Sequence, residues 1–133
     1  MIQEIIYKEE SAKICSAIYE VHKRLGVGLS EKVYQEALAI ELSQRGIPFE
    51  REKHFDVYYR NKKLNAYYLA DFVCYDKIIV ELKAVSQLTD DHKAQVRNYL
   101  SITNYKLGIL CNFNERYMTP VRILNSNVRI VGS

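Results

Sequence analysis

The chain has 133 residues, of which 48% are hydrophobic and 26% charged, a size and composition typical of one folded domain with its own core. Its formal net charge of +3 is compatible with a nucleic-acid partner but is too small to indicate one. No apolar run is long enough to span a bilayer, the N-terminus lacks a signal-peptide pattern, and no low-complexity linker is present. We therefore expect a single cytoplasmic domain over residues 1–133, with no membrane partner.

The first 46 residues predict two amphipathic helices. From about residue 10 to residue 25, apolar side chains recur at helical spacing and glycines follow. Ser30 is a suitable N-cap for a second helix, which ends near Arg45 and Gly46. The apolar positions of the first helix are Ile14, Ile18, Val21 and Leu25, and the predicted buried positions of the second are Val33, Ala37, Leu38 and Leu42.

β-branched and aromatic residues then predict three strands, over residues 55–59, 64–74 and 78–84. The polar segments 61–63 and 75–77 separate them and predict hairpin loops in an antiparallel meander.

The remaining chain predicts a helix and further strands. The helix begins near Thr89 or Asp90, a short apolar strand covers residues 107–113, and an edge strand or pair of strands covers residues 121–131. The apolar helix positions are Ala94, Val96, Tyr99, Leu100 and Ile102. The order ααβββαββ predicts an α/β (mixed α+β) domain around one sheet.

Asp71, Glu81 and Lys83 are charged residues within two strands that otherwise predict a buried sheet. Carboxylates in such a setting require a cation, a metal or a hydrogen-bond network. If Cys74 pairs with Ile78 across a three-residue loop, Asp71 lies opposite Glu81, and Lys83 leaves the same face one strand step away. A two-residue loop on Asp76 and Lys77 would instead turn Asp71 to the other face unless a bulge intervened. Oxygen ligands suit a hard divalent cation, which suits phosphodiester hydrolysis. The alternative is an exposed cross-strand ion pair on a half-solvated sheet.

Two helical stripes supply further candidates. Glu31 begins a stripe with Tyr34 and Leu38 that points inward, although an acidic residue in a first helical turn is also explained by the helix dipole. His92, Gln95 and Tyr99 form a polar stripe on the last helix, for which a merely solvated face is the alternative. Several basic side chains could contact a phosphate backbone or be ordinary surface: Arg51, Lys53, Lys62, Lys63, Lys93 and Arg97.

The spacing of Asp71 and Glu81-Leu82-Lys83 resembles the PD-(D/E)xK nuclease superfamily, with its restriction-endonuclease-like core of a central mixed sheet flanked by helices. Gly28-Leu-Ser-Glu31-Lys-Val-Tyr34 resembles the signature of the bacterial GxxExxY family within it. Gln95 and Tyr99 are similar to the QxxxY motif of RecB-like nucleases. Ala70 stands where that superfamily has its proline, a backbone feature without chemistry.

The resemblance implies a Mg²⁺- or Mn²⁺-dependent nuclease acting on DNA in repair, recombination or defence. A nuclease that acts on RNA is a further alternative. Asp71 and Glu81 would bind the metal, Glu31 would complete its shell, and Lys83 would act on water or phosphate. Gln95, Tyr99, Tyr34 and Arg97 would support the site or contact substrate. A homodimer would allow so small a chain to span a duplex. A non-catalytic binding or scaffolding module of the same fold is the competing hypothesis.

Overall fold

The computed structural model describes residues 5–125 of the chain. Three helices and five strands follow one another in the predicted order ααβββαββ. Their bounds are α1 (Lys8–Leu25), α2 (Glu31–Gln44), β1 (Phe49–Tyr59), β2 (Lys62–Cys74), β3 (Ile78–Lys83), α3 (Asp90–Thr103), β4 (Leu107–Asn112) and β5 (Val121–Leu124). The strand predicted over residues 121–131 is therefore observed as β5, and residues 126–131 lie outside the described residues. No helix between residues 5 and 125 has the length and apolar character to cross a bilayer.

The five strands form one mixed sheet in which spatial order follows chain order. β1, β2 and β3 make the predicted antiparallel meander, and β5 lies antiparallel to β4. β4 runs parallel to β3, and α3 is the crossover that a parallel connection requires.

Helices cover the central strands from both sides. Residues 78–82 of β3 are all buried, which confirms the prediction of a strand enclosed on both faces. Ile78, Val80 and Leu82 pack with the apolar faces of α1 and α2. Ile79 packs on the opposite side with Val96 and Leu100 of α3.

Most predicted helix features are confirmed. Ser30 caps α2 by accepting a hydrogen bond from the Val33 amide at 3.4 Å, and Thr89 caps α3. One position predicted to be buried is wrong, because Val33 is 41% exposed, and two apolar positions of the predicted helices, Leu25 and Ile102, are 38% and 44% exposed. Leu25 and Ile102 lie in the last turns of their helices, and Val33 lies about 100° around the helix from the buried Tyr34.

The first hairpin differs from its prediction. β1 begins at Phe49 rather than residue 55, and the turn is formed by Arg60 and Asn61 rather than by residues 61–63. Both turn residues have left-handed backbone angles, with φ of 48° and 62°. Two such residues match the twist of the flanking strands, which explains the shorter loop. The second loop, residues 75–77, is as predicted.

β1 and β2 change face together at Glu52 and Asp71. Phe72 and Cys74 pack with α1 and α2, whereas Tyr68 and Ala70 pack with α3. Regular alternation would place all four on one face. Glu52 has φ of 53°, and the strands keep the same register on either side of it. The break therefore reorients side chains without shifting the pairing.

Gly108 on β4 allows α3 to approach the sheet closely. A Cβ added there would lie 2.8 Å from Val96 Cγ1. We expect Gly108→Ala to lower the free energy of unfolding by about 1–3 kcal/mol because the interior is overpacked, measured by urea unfolding. Adding Val96→Ala removes the clashing methyl, so the double mutant should show favourable coupling relative to the sum of the two single changes. The control is Asn98→Ala, on the exposed side of α3, which should leave stability unchanged. If the effects of Gly108→Ala and Val96→Ala simply add, the proposed contact between them is wrong.

Candidate active site

β2 and β3 separate after only three paired positions. Cys74 lies opposite Ile78 and Phe72 opposite Val80, as predicted, so the next position in the same register places Asp71 opposite Glu81. We call this point the fork. Beyond it β2 stays paired with β1 and β3 with β4.

The Asp71 carboxylate closes the fork. Its Oδ2 accepts a hydrogen bond from the Leu82 amide at 2.8 Å, a role that a strand carbonyl performs in a continuous ladder. The predicted convergence of the two carboxylates therefore comes with an additional contact that the prediction lacked, because β2 changes face at Asp71 and its carboxylate also reaches the backbone of β3. The two side chains interact directly.

Glu81 is held in a buried aromatic setting. Its side chain is 7% exposed, and the Tyr68 hydroxyl donates a hydrogen bond to Glu81 Oε1. The Tyr99 ring stacks on Tyr68 with a centroid separation of 3.6 Å, and Phe55 stacks on Tyr68 at 5.6 Å. Burial and the neighbouring Glu81 charge raise the pKa of Tyr68, so its hydroxyl remains a donor.

The electrostatic environment of Glu81 favours the protonated carboxyl group in the absence of a cation. Burial, followed by the negative charge of Asp71, raises the pKa of Glu81 to about 9. The hydrogen bond from Tyr68 acts in the opposite direction but is outweighed. A bound cation would remove this penalty by compensating both carboxylates.

Glu31 and Lys83 approach the same point. Glu31 is the first residue of α2, and its pKa is raised by partial burial and by Asp71 and lowered by the Lys83 ammonium group. An open cavity of about 330 Å³ lies here, lined by Glu31, Lys32, Gln35, Glu52 and Asp71. The structure thus brings together the four acidic and basic residues predicted to be catalytic.

The donor set fits a hard divalent cation. Asp71 and Glu81 provide carboxylate oxygens at the fork, and their unfavourable proximity is what a cation would relieve. Among residues 5–125, no group of three or more His, Cys, Asp and Glu side chains is arranged to hold a metal ion. Mg²⁺ needs only one or two carboxylates, because waters and substrate phosphates supply its other ligands.

The other predicted residues occupy different positions. Tyr99 lies beside the carboxylates, and burial followed by Glu81 and Asp71 raises its pKa. Gln95 and Arg97 are exposed on α3. The Tyr34 hydroxyl donates to the Gly26 carbonyl at 2.6 Å and accepts from the Leu29 amide at 3.2 Å, so it braces the turn between α1 and α2.

His92 of the predicted polar stripe has a structural role. Its Nδ1 accepts a hydrogen bond from the Thr89 amide at 3.0 Å, and Thr89 in turn caps the helix. This reciprocal cap explains the residue without any contact to a ligand.

Two residues of the site are absent from the sequence-based prediction. Tyr68 was missed because regular alternation from Asp71 places it on the wrong face, and only the break at Glu52 brings it to Glu81. Asn112 is fully buried, and its side-chain amide exchanges hydrogen bonds with Val85 at 2.9 and 3.0 Å. It fixes the chain just after Lys83, and a polar residue ending the apolar strand β4 is the signal that could have identified it.

Comparison with known proteins agrees with this geometry. The family model of the PD-(D/E)XK nuclease superfamily matches residues 8–123. The crystal structure of SSO0001 is similar, with a TM-score of 0.56 and 20% sequence identity over 90% of this chain. This chain covers 60% of that structure's chain, and at this identity the likeness concerns the fold. No curated protein matches the sequence. The fold is the restriction-endonuclease-like α/β fold, with a mixed sheet flanked by helices, and the chain belongs to the PD-(D/E)XK nuclease superfamily.

Proposed function

We propose that the protein is a nuclease that hydrolyses phosphodiester bonds of DNA with Mg²⁺ or Mn²⁺ as cofactor. The observation that carries this proposal is the meeting of Asp71 and Glu81 at the fork. One carboxylate is anchored on the Leu82 amide, and the other is buried against Tyr68. The open cavity beside Asp71 gives a phosphodiester access to this pair.

Each side chain has a distinct role in the proposed reaction. Asp71 and Glu81 would hold the divalent ion, with Glu31 completing its shell from α2. The bound ion would neutralise phosphate charge and lower the pKa of the attacking water. Lys83 would donate a hydrogen bond to that water or to a phosphate oxygen as negative charge develops. Tyr68 keeps the Glu81 carboxyl group oriented toward Asp71.

The supporting residues belong to the two flanking layers. Tyr99 contacts Tyr68 directly, and we assign it a supporting role with Gln95 one turn before it. Arg97 is exposed on α3 and would contact a backbone phosphate. Tyr34 would hold the α1–α2 turn and thereby keep Glu31 at the fork.

We further infer membership of the GxxExxY family within the RecB-like branch. The three signature residues have separable tasks that support this assignment. Gly28 adopts φ of 92°, and its amide donates a hydrogen bond to Asn114 Oδ1 at 3.1 Å. Glu31 faces the fork, and Tyr34 braces the turn between α1 and α2. A bacterial, cytoplasmic enzyme of repair, recombination or defence, acting as a homodimer, is the corresponding proposal.

A non-catalytic scaffold is the second candidate. It is favoured by the Tyr68–Glu81 contact, which stabilises the buried carboxyl group without a metal. An RNA substrate would use the same carboxylates, since nothing in that chemistry depends on a 2′-hydroxyl.

The test compares cleavage by the wild type, Asp71→Asn and Glu52→Gln. Linear duplex, nicked and single-stranded DNA and single-stranded RNA are offered with Mg²⁺, Mn²⁺ or EDTA. We expect metal-dependent cleavage of DNA that falls at least about 100-fold in Asp71→Asn, since even second-shell losses at metal sites reach this size. Glu52 lines the same cavity without a proposed ligand role, so Glu52→Gln should stay near wild type.

The alternatives give different results in the same experiment. If the wild type cleaves no substrate and calorimetry detects no metal binding, the protein is a non-catalytic scaffold rather than a nuclease. Cleavage confined to RNA would replace the DNA assignment while leaving the assignment of the metal ligands in place.

A further inference from the structure

The outer part of the β1–β2 hairpin exposes a group of tyrosines. Residues 57–67, here called the outer ribbon, include Tyr58, Tyr59 and Tyr67, which are 61%, 63% and 56% exposed. β3 pairs with β2 only at Phe72 and beyond, so the outer ribbon is a two-stranded extension of the sheet. Large aromatic side chains at such exposure are typical of contact surfaces rather than of a core.

The same segment is the most basic part of the hairpin. Residues 57–70 contain Arg60, Lys62 and Lys63 and no acidic residue. Lys63 lies 3.7 Å from Asp56, whereas neither Arg60 nor Lys62 has an ion-pair partner within the described part of the chain. The partner with complementary charge is a polyanion.

The outer ribbon leads directly to the fork. Tyr67 precedes Asp71 by four residues on β2, a distance of about 13 Å along a strand. A polyanion lying along the ribbon would therefore reach the Asp71–Glu81 pair within a few nucleotides.

We infer that the outer ribbon binds single-stranded DNA by stacking bases on exposed tyrosine rings and by pairing phosphates with Arg60 and Lys62. The rings are those of Tyr58 and Tyr59, which leave opposite faces of the ribbon, and the face of Tyr67 that His54 does not cover. This inference rests on the proposed nuclease function and assigns the segment that delivers substrate to the fork. Exposed rings between basic side chains are the combination that binds unpaired strands, because every unpaired base offers a face for stacking. A duplex hides those faces.

The experiment measures binding without cleavage. Fluorescence anisotropy in EDTA gives the Kd for a labelled oligo(dT) of about 20 nucleotides, long enough to cover a ribbon site. Tyr58→Ala with Tyr59→Ala should raise the Kd at least about tenfold, whereas Tyr58→Phe with Tyr59→Phe, which keeps both rings, should stay within about threefold of wild type. Tyr19→Ala, an exposed tyrosine on α1, is the matched control and should bind as wild type.

The charge contribution is tested separately by salt dependence. Arg60→Gln with Lys62→Gln should weaken binding and reduce the slope of log K against log salt by about 1.4, as expected for two lost phosphate contacts to a single strand. Lys8→Gln with Lys23→Gln removes the same charge from exposed positions of α1 and should leave the slope unchanged if the contacts are local.

The inference fails if the ribbon variants bind oligo(dT) as the wild type does, if the α1 charge variant weakens binding equally, or if wild type does not bind oligo(dT). It fails also if a duplex of equal length binds more tightly and the tyrosine variants leave that affinity unchanged. Metal-dependent cleavage by the wild type together with unaffected binding by the ribbon variants would reject the ribbon and retain the nuclease. If the wild type shows no metal-dependent cleavage but its binding of oligo(dT) is weakened in the ribbon variants, the nuclease function is rejected and the binding surface is retained.

Discussion

In metal-free protein, Glu81→Gln should increase the free energy of unfolding, and the increase should grow as the pH rises. The unfolded Glu81 ionises near its ordinary value of 4.5, whereas the folded protein keeps that proton until about pH 9. The folded state therefore binds more protons between these values, and raising the pH favours unfolding by up to about 1.4 kcal/mol per pH unit. Glutamine is neutral throughout, can accept the Tyr68 hydrogen bond and can donate one to Asp71, so this slope should largely disappear.

The measurement is urea unfolding in EDTA at about pH 5.5, 7 and 8.5. Over this range the difference in the free energy of unfolding between Glu81→Gln and the wild type should grow. The control is Glu36→Gln, which removes an exposed carboxylate of α2 and should reproduce the wild-type profile. Parallel profiles for Glu81→Gln and wild type would show that Glu81 is not held in its protonated form. Glu81→Gln should also lose cleavage activity, because it removes a proposed metal ligand. The substitution would therefore raise stability and abolish activity together.

Replacing Lys83 with methionine should lower the single-turnover rate of DNA cleavage by about 10²–10³-fold, the typical loss when one group that stabilises developing charge is removed. Methionine keeps a flexible apolar stem of similar length, so the end of β3 should remain folded. The metal Kd should change far less than in Asp71→Asn, because Lys83 has no ligand oxygen. Calorimetry and rapid quenching measure the two quantities separately.

The pH dependence provides a second readout for Lys83. Its ammonium group lowers the pKa of Glu31, so Lys83→Met should move the acidic limb of the pH–rate profile of the remaining activity upward. Lys32→Met is the matched control, since Lys32 borders the same cavity but its ammonium group pairs with Glu52 at 3.3 Å. Equal losses in the two variants would indicate a general effect of charge near the cavity rather than a catalytic role.

The order of elements could be predicted because its signals are local. The Ser30 cap, the glycine after α2 and the buried stripe of Tyr34, Leu38 and Leu42 all depend on residues within one or two turns. The Cys74–Ile78 register was one of two that the loop sequence allowed, and it is the one observed. That register led correctly to the opposition of Asp71 and Glu81.

Side-chain placement near the fork could not be predicted, because it depends on a backbone conformation with no strong sequence signal. Glu52 adopts a left-handed φ that glycine or asparagine would have indicated. The change of face that places Tyr68 on the α3 side occurs opposite that residue. The contact between Tyr68 and Tyr99 then depends on how closely α3 approaches β4, which Gly108 permits.

The shared change of face at Glu52 and Asp71 has a consequence for communication across the sheet. Asp71 belongs at once to the α2 side, where it interacts with Glu31, and to the α3 side, where it influences Tyr99. A sheet usually insulates the two layers that it separates. Here the charge of Asp71 acts on both layers, so a change in its ionisation would shift the pKa of Glu31 and that of Tyr99 together, and the reverse holds by thermodynamic reciprocity. One carboxylate thus links the ionisation of Glu31 on one side of the sheet to that of Tyr99 on the other.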